Sequence, residues 1–359
     1  MTAEPRRAAT ASARPSRVCT LQRVGAGELA EFLTSLRYAE GPMPRHPVLV
    51  DLDDAVRVGT PDPPPVRPGL DPILVGVSTR VLGPAIAALS RSLTFTVAPG
   101  GAGRSWVDAP VDETAEAVAS TFSRAPVASS VLDRILRASE DLPVVAALEL
   151  ESAAYSMLLA SAEFADWRRR TPRGTSGSEP AAVVVERDGP SLVVELNRPA
   201  RHNAFNRAMR DGVLEALSIA LADDSITEIL LSGRGPSYCS GGDLDEFGSC
   251  DSPAAAHLVR LEQSVGHAVH LLRERVVPTL HGACIGAGIE IPAFASRVRA
   301  VEGSWFQLPE LSMGLVPGAG GTVGIPRRIG RWRTAFLAFT GQRIDVATAL
   351  SWGLVDERH

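Results

Sequence analysis

Glu290 stands in "HGACIGAGIEIPAFA" (281–295), just after Gly286, Ala287 and Gly288 and at the head of an apolar run. A helix starting near Ala287 or Gly288 leaves its first N–H groups free, and these donors together with the positive helix end suit a developing oxyanion. Glycines beside them allow a ligand to approach the backbone closely. A second glycine-rich turn, "YCSGGDL" (238–244), follows another strand-like segment and offers a matching N–H at Ser240. Two such donors converging on a thioester carbonyl stabilise an enolate, and losing one donor typically costs about 3 kcal/mol. Taken singly, each turn reads equally as a tight strand-to-helix turn with nothing bound. Glu310, in "WFQLPELSMGLVPGAGG" (305–321), is a second carboxylate in similar apolar company.

The elements that must hold these residues are legible in outline. After a Gly/Ser/Pro-rich segment, "RRRTPRGTSGSEP" (168–180), the texture is α/β. "AAVVVERDGPSLVVELNRP" reads as two strands about an Asp-Gly turn. "NAFNRAMRDGVLEALSIALAD" reads as an amphipathic helix, "ITEILLSGRG" as a buried strand and "AHLVRLEQSVGHAVHLLRER" as one long helix. "VVPTLHGACIG" reads as a buried strand, "RVRAVEGSWF" as another, and "RRIGRWRTAFLAFTG" as a helix. Apolar strands alternating with helices predict a mostly parallel sheet carrying helices.

Before the linker, residues 1–44 read as a poorly ordered tail with one short helix at "GELAEFLTSLRY". "HPVLVDLDDAV", "PILVGVS" and "SLTFTVA" read as strands, and "VGTPDPPPVRPGLD" as a proline-rich break. Residues 110–167 read as helical, with Leu148, Tyr155, Leu159 and Ala162 at helix spacing. The expected division is therefore a tail at 1–44, an N-terminal domain at 45–168, a linker at 169–180 and a catalytic core at 181–359.

Composition narrows the function. The chain of 359 residues has a formal net charge of −5 with the two signs interspersed, which argues against nucleic-acid binding. It contains no lysine, so every fixed side-chain cation is an arginine. No apolar run reaches the roughly 18 residues of a membrane span, and the N-terminus lacks the apolar core of a secretory signal. The four cysteines (Cys19, Cys239, Cys250, Cys284) have no metal-type spacing, and the expected setting is a reducing cytoplasm without a bound metal.

The ordered set "NRPARHNAFN", "SYCSGGDLDEF", "HGACIGAGIEIPAFA", "FQLPELSMGLVPGAGGT" and "TGQRIDVATALSWGLVDE" resembles the crotonase superfamily, the enoyl-CoA hydratase/isomerase fold, over about residues 181–356. The resemblance implies an α/β fold of stacked parallel βα units, an acyl-CoA substrate with no further cofactor, and a trimer or dimer of trimers. It places the oxyanion donors on Ser240 and Ala287. It makes Glu290 and Glu310 the carboxylates flanking the substrate double bond, Glu290 as base toward water and Glu310 as acid at the α-carbon. Keeping both favours 2-enoyl-CoA hydration, with double-bond isomerisation or a non-catalytic acyl-CoA-binding subunit as alternatives.

Further expectations attach to the same motifs. Arg201 either lies along the coenzyme A phosphates or adenine edge or is a solvated loop arginine. Ala204, Gly241, Gly242, Gly286 and Gly288 line the substrate, and Asp243 fixes the oxyanion turn. Pro317 and Gly318 belong to a loop along the acyl pocket. His281, where the family often has asparagine, is read as non-catalytic. A usual member continues for roughly another 60 residues of helices beyond the stretch matching "GLVDERH". Residues 110–164 resemble those helices, with Pro126, Glu151, Tyr155, Glu163 and Phe164 at the family's marks. The strands before them then look like a degenerate first copy that lost its glycine turns and glutamates. The expectation is that helices 110–167 pack on the core.

Overall fold

The computed structural model describes residues 21–36, 43–54, 72–83, 86–100, 103–174, 181–250 and 252–359. The tail residues 1–20, the proline-rich break at 58–71 and residues 175–180 of the expected linker lie outside the described residues.

The first half builds a five-stranded sheet of β1 (Gln22–Gly25), β2 (Val48–Asp51), β3 (Leu74–Val77), β4 (Phe95–Val97) and β5 (Trp106–Val107), in that order and parallel throughout. β3 and β4 are buried at every residue, as strands covered on both faces must be. Of the tail expected at 1–44, the described residues 21–36 are corrected here. β1 pairs in register with β2, and α1 (Leu29–Leu36) buries Leu29 and Leu33, so apolar burial orders this stretch. After α2 (Ala87–Ser92) come four helices: α3 (Val111–Arg124), α4 (Pro126–Ala138), α5 (Val144–Leu159) and α6 (Ala162–Arg170). Pro126 opens α4 at a position where its missing N–H costs nothing. Glu163 then caps α4, its two carboxylate oxygens accepting from the Val127 and Ala128 N–H groups at 2.7 and 3.0 Å.

The second half opens with the hairpin β6 (Val183–Asp188) and β7 (Ser191–Leu196), turning at Gly189 with φ 56°. After α7 (Arg207–Ala222) come β8 (Glu228–Gly233), α8 (Pro253–Glu262) and α9 (Val265–Leu271). The expected single helix thus breaks in two, because the Ser264 hydroxyl caps α9 by accepting from the His267 N–H at 3.2 Å. The expected strand at 276–286 also divides, into β9 (Val276–Leu280) and β10 (Ala283–Ile285), which join different sheets. Gly282 turns the chain at φ 58°, where a Cβ would lie 2.2 Å from the Pro236 carbonyl oxygen.

The remaining elements are α10 (Ala287–Glu290), β11 (Arg299–Ala300), β12 (Trp305–Gln307), α11 (Gly324–Ile329), α12 (Arg331–Thr340), β13 (Ile344–Asp345), α13 (Val346–Trp352) and β14 (Glu357–Arg358). The strands form a six-stranded sheet, β14-β11-β9-β8-β7-β6, parallel except for the hairpin, and a small sheet, β10-β12-β13. This is the α/β architecture of parallel strands and covering helices that the sequence predicts. No single helix among the described residues is long and apolar enough to cross a membrane.

One apolar cluster spans the two halves, and a second, around Leu29, Val50, Leu52 and Leu89, lies within the first half. Phe95 of β4 packs edge-on against Phe336 of α12 at 5.7 Å between ring centres and also meets Phe339. Arg331 of α12, 6% exposed, donates to the Leu93 carbonyl at 3.0 Å and pairs with Glu140 at 3.0 Å. The larger cluster therefore runs across the expected boundary at 169–180.

Candidate active site

Gly286 sets the geometry. It leaves β10 at φ 50°, and its carbonyl accepts from the Ile289 and Glu290 N–H groups at 2.8 and 2.9 Å, closing the single turn of α10. A Cβ on Gly286 would stand 2.6 Å from Glu310 Oε1 and 3.5 Å from Glu290 Oε1. The two carboxylates predicted to work together thus converge over one Cα that only glycine can occupy.

Both are buried, Glu290 at 2% exposure and Glu310 at 7%. Glu290 Oε2 accepts from the Ala319 and Gly321 N–H groups at 2.8 and 2.9 Å. Glu310 Oε2 is buried and has no hydrogen-bond partner among the described residues. Burial pushes both carboxyl groups above their ordinary range. Glu290 is raised further by the charges of Glu310 and Glu151, and Glu310 reaches about 8. The charge of Glu310 is among the causes that raise Glu290, so the two acids titrate as a coupled pair. The N–H groups of Ala319 and Gly321 favour the charged form of Glu290 and oppose that rise.

A third buried carboxylate organises the same loop from the other half of the chain. Glu151 of α5 accepts from the Gly320 N–H (2.8 Å), the Thr322 N–H (2.9 Å) and the Thr322 hydroxyl (2.7 Å). Successive N–H groups of the 319–322 segment therefore alternate between Glu290 and Glu151. Burial lifts the Glu151 carboxyl to about 7, against the pull of those donors. Tyr155, one turn on, lays its ring over Gly318, where a Cβ would come within 2.2 Å of it. Leu148 reaches Gly320, and Phe164 covers Gly248.

These groups enclose a cavity of about 490 Å³ lined by Tyr155, Leu159 and Phe164 from the first half and by Phe205, Gly242, Asp243, Ala287, Glu290, Glu310, Gly318 and Arg260, among others, from the second. Among the described residues the N–H groups of Gly242 and Ala287 donate to no backbone acceptor. Ser240 is corrected: its N–H donates to the His202 carbonyl at 2.9 Å, and it does not line the cavity. The free donor of that turn that lines the cavity is Gly242, two residues on, because Gly241 at φ 96° redirects the chain between them.

The other expected residues divide. Asp243 lines the cavity, but its carboxylate takes Arg198 at 2.9 Å, Arg201 at 3.3 Å and the Asp245 N–H at 3.1 Å, so it fixes the turn. Arg201 pairs with Asp245 at 2.7 Å as well and lies outside the cavity lining, as does Ala204. Gly241, Gly286, Gly288 and Pro317 are also outside it. Gly288 packs so that a Cβ would meet the Cys239 carbonyl oxygen at 2.4 Å, and Pro317 backs Gly321. His281 bonds the Gly235 carbonyl through Nε2 at 3.0 Å. Among the described residues no group of three or more His, Cys, Asp or Glu side chains is placed to hold a metal ion. Sequence reasoning left Glu151, Tyr155 and Arg260 out of the site. The first two carried a signal in their spacing of four on α5, whereas Arg260 carried none.

The comparisons with known proteins follow the same half of the chain. A profile of the enoyl-CoA hydratase/isomerase family matches residues 188–358. The 2,3-dehydroadipyl-CoA hydratase of Escherichia coli K12 is 30% identical over 49% of this chain and 68% of its own length. The trans-2-decenoyl-[acyl-carrier-protein] isomerase of Streptococcus mutans is 32% identical over 48% and 67%. An enoyl-CoA hydratase structure from Thermoplasma volcanium GSS1 shares 30% identity over 50% of this chain and 72% of that one, with a TM-score of 0.46. The chain thus spans about two thirds of the two curated relatives' length. With motif, paired glutamates and identity falling on one segment, the chain belongs to the enoyl-CoA hydratase/isomerase family of the crotonase superfamily.

Proposed function

We propose that this protein adds water to a 2-enoyl-CoA thioester to give a 3-hydroxyacyl-CoA. The observation that carries the reading is the convergence of Glu290 and Glu310 over Gly286, beside the unpaired Gly242 and Ala287 N–H groups, in one cavity. The thioester oxygen accepts from those two donors. Ionised Glu290 takes a proton from water as the water oxygen bonds the β-carbon, and the double-bond electrons move onto the thioester oxygen. Protonated Glu310 delivers its proton to the α-carbon, and the proton gained by Glu290 passes back through the pair. No cofactor beyond the coenzyme A of the substrate is required.

Isomerisation of a 3-enoyl-CoA is the second reading, since it uses the same donors with one carboxylate shuttling a proton. The Streptococcus mutans relative is named for such chemistry. Turnover of 2-butenoyl-CoA in D2O is expected to give 3-hydroxybutanoyl-CoA with one deuterium at the α-carbon. Conversion of 3-hexenoyl-CoA is expected to be at least tenfold slower. Rapid conversion of 3-hexenoyl-CoA with no hydration of 2-butenoyl-CoA would replace hydration with isomerisation.

We further propose that α3 to α6 serve as the covering helices of this site and that the sheet before them is a degenerate copy of the fold. Glu151 then acts as a positioning residue. Glu151→Gln removes a charge that raises both paired glutamates, so their pKa values fall. The base must be ionised, so the rising limb of the kcat/KM profile is expected to move to lower pH, with kcat itself falling about 10- to 100-fold as the 319–322 loop loosens. A loss of rate with an unmoved pH profile would leave Glu151 a purely structural role.

A further inference from the structure

Arg260, half-buried, is set apart from the buried arginines Arg198 and Arg331. Arg198 and Arg331 each face a carboxylate, Asp243 at 2.9 Å and Glu140 at 3.0 Å. Arg260, on α8, pairs with no carboxylate among the described residues. Its Nε donates to the Ser152 hydroxyl at 3.1 Å and its Nη2 to the Ser152 carbonyl at 3.3 Å and the Ser156 hydroxyl, all on α5. Its guanidinium carbon lies 4.8 Å over the Tyr155 ring. Nη1 donates to no acceptor among the described residues. Glu151, the carboxylate whose charge acts on it, has both oxygens engaged by the 320–322 segment. Arg260 lines both the main cavity and an adjoining one of about 160 Å³, whose other walls include Leu148, Val265 and Ile291.

A guanidinium that lines a cavity with no counter-charge beside it can take one there, and a planar carboxylate is the partner that fits its fork. The apolar walls beside it suit methylene groups. We propose that Arg260 is a specificity residue that recognises a carboxylate at the far end of the acyl chain, so that the substrate class is the CoA monothioester of an unsaturated dicarboxylic acid. The turnover test rests on the hydratase reading above; the binding test does not.

The five-, six- and seven-carbon 2-enedioyl-CoAs are each compared with a neutral isostere carrying an isopropyl group in place of the carboxylate. The wild type is expected to favour the acid at one chain length or more by at least about tenfold in kcat/KM, and Arg260→Gln to lower that ratio 10- to 100-fold. Arg260→Lys, which keeps the charge, is expected to retain a preference. In parallel, calorimetry compares the saturated dicarboxylyl-CoAs, their isosteres and coenzyme A alone. The acids are expected to bind more tightly than the isosteres in the wild type and not in Arg260→Gln, with coenzyme A binding both proteins equally. Absence of turnover with the binding preference intact would overturn hydration and keep the Arg260 assignment. A wild type with no preference at any chain length overturns it, as does weaker binding of coenzyme A alone by Arg260→Gln, which assigns the guanidinium to the phosphates.

Discussion

Glu290→Gln and Glu310→Gln are each expected to lower hydration turnover by at least about 100-fold while leaving acyl-CoA binding within a few-fold of wild type. In Glu290→Gln the new amide oxygen can still face the Ala319 and Gly321 N–H groups, so the loop keeps much of its support, but an amide cannot take a proton from water. In Glu310→Gln the amide can still donate a hydrogen bond but cannot transfer its proton to carbon. The thioester itself is held by backbone donors that neither change touches. Stability is expected to move the other way. Glu310 titrates near 4.5 when unfolded and near 8 when folded, so the folded state binds more protons and wild-type stability falls as pH rises between those values. Glu310→Gln removes that loss, and its melting temperature relative to wild type should rise from pH 5 to pH 8. A well-folded variant with near-normal turnover would remove that residue from the mechanism.

How far the sequence reached depends on what signals each feature. The glutamates and the two glycine turns were legible because their types and order are constrained by the chemistry, and the Ala287 donor follows from where a helix must start. The Ser240 donor was misplaced by two residues, because Gly241 at positive φ decides which N–H faces the cavity and composition does not reveal the direction of a turn. The same cause joined elements that the structure separates. Gly282 divides one predicted strand, Gly303 at φ 82° another, and Gly330 at φ 85° splits the helix predicted over 327–341. Periodicity reads through such glycines, since the apolar pattern continues on both sides. Arg260 was invisible for a different reason. A lone arginine on an apolar helix face becomes notable only once its partners, or their absence, are known.

The largest effect is expected from removing the first half of the chain. A fragment beginning at Ala181 would lose Tyr155 from Gly318, Leu148 from Gly320 and Phe164 from Gly248, opening the cavity wall on one side. The 319–322 loop would lose the three hydrogen bonds it donates to Glu151 and keep those it donates to Glu290. On α12, Phe336 and Phe339 would lose Phe95, and Arg331 would lose the Leu93 carbonyl and Glu140 that accompany its burial. Uncovering one large apolar side chain costs about 1.5–3 kcal/mol, against about 5–15 kcal/mol for a whole domain. Several such losses together exceed what the core at 181–359 can bear. The fragment is expected to be insoluble or to lack cooperative unfolding, with kcat/KM down by at least about 1000-fold. Because the loss is one of packing rather than of catalytic groups, co-expression with residues 1–174 as a separate chain should restore a soluble complex and most of the activity. A monodisperse fragment from Ala181 that unfolds cooperatively and turns over within tenfold of the full chain would show that α5 and α6 cover the site without being needed by it.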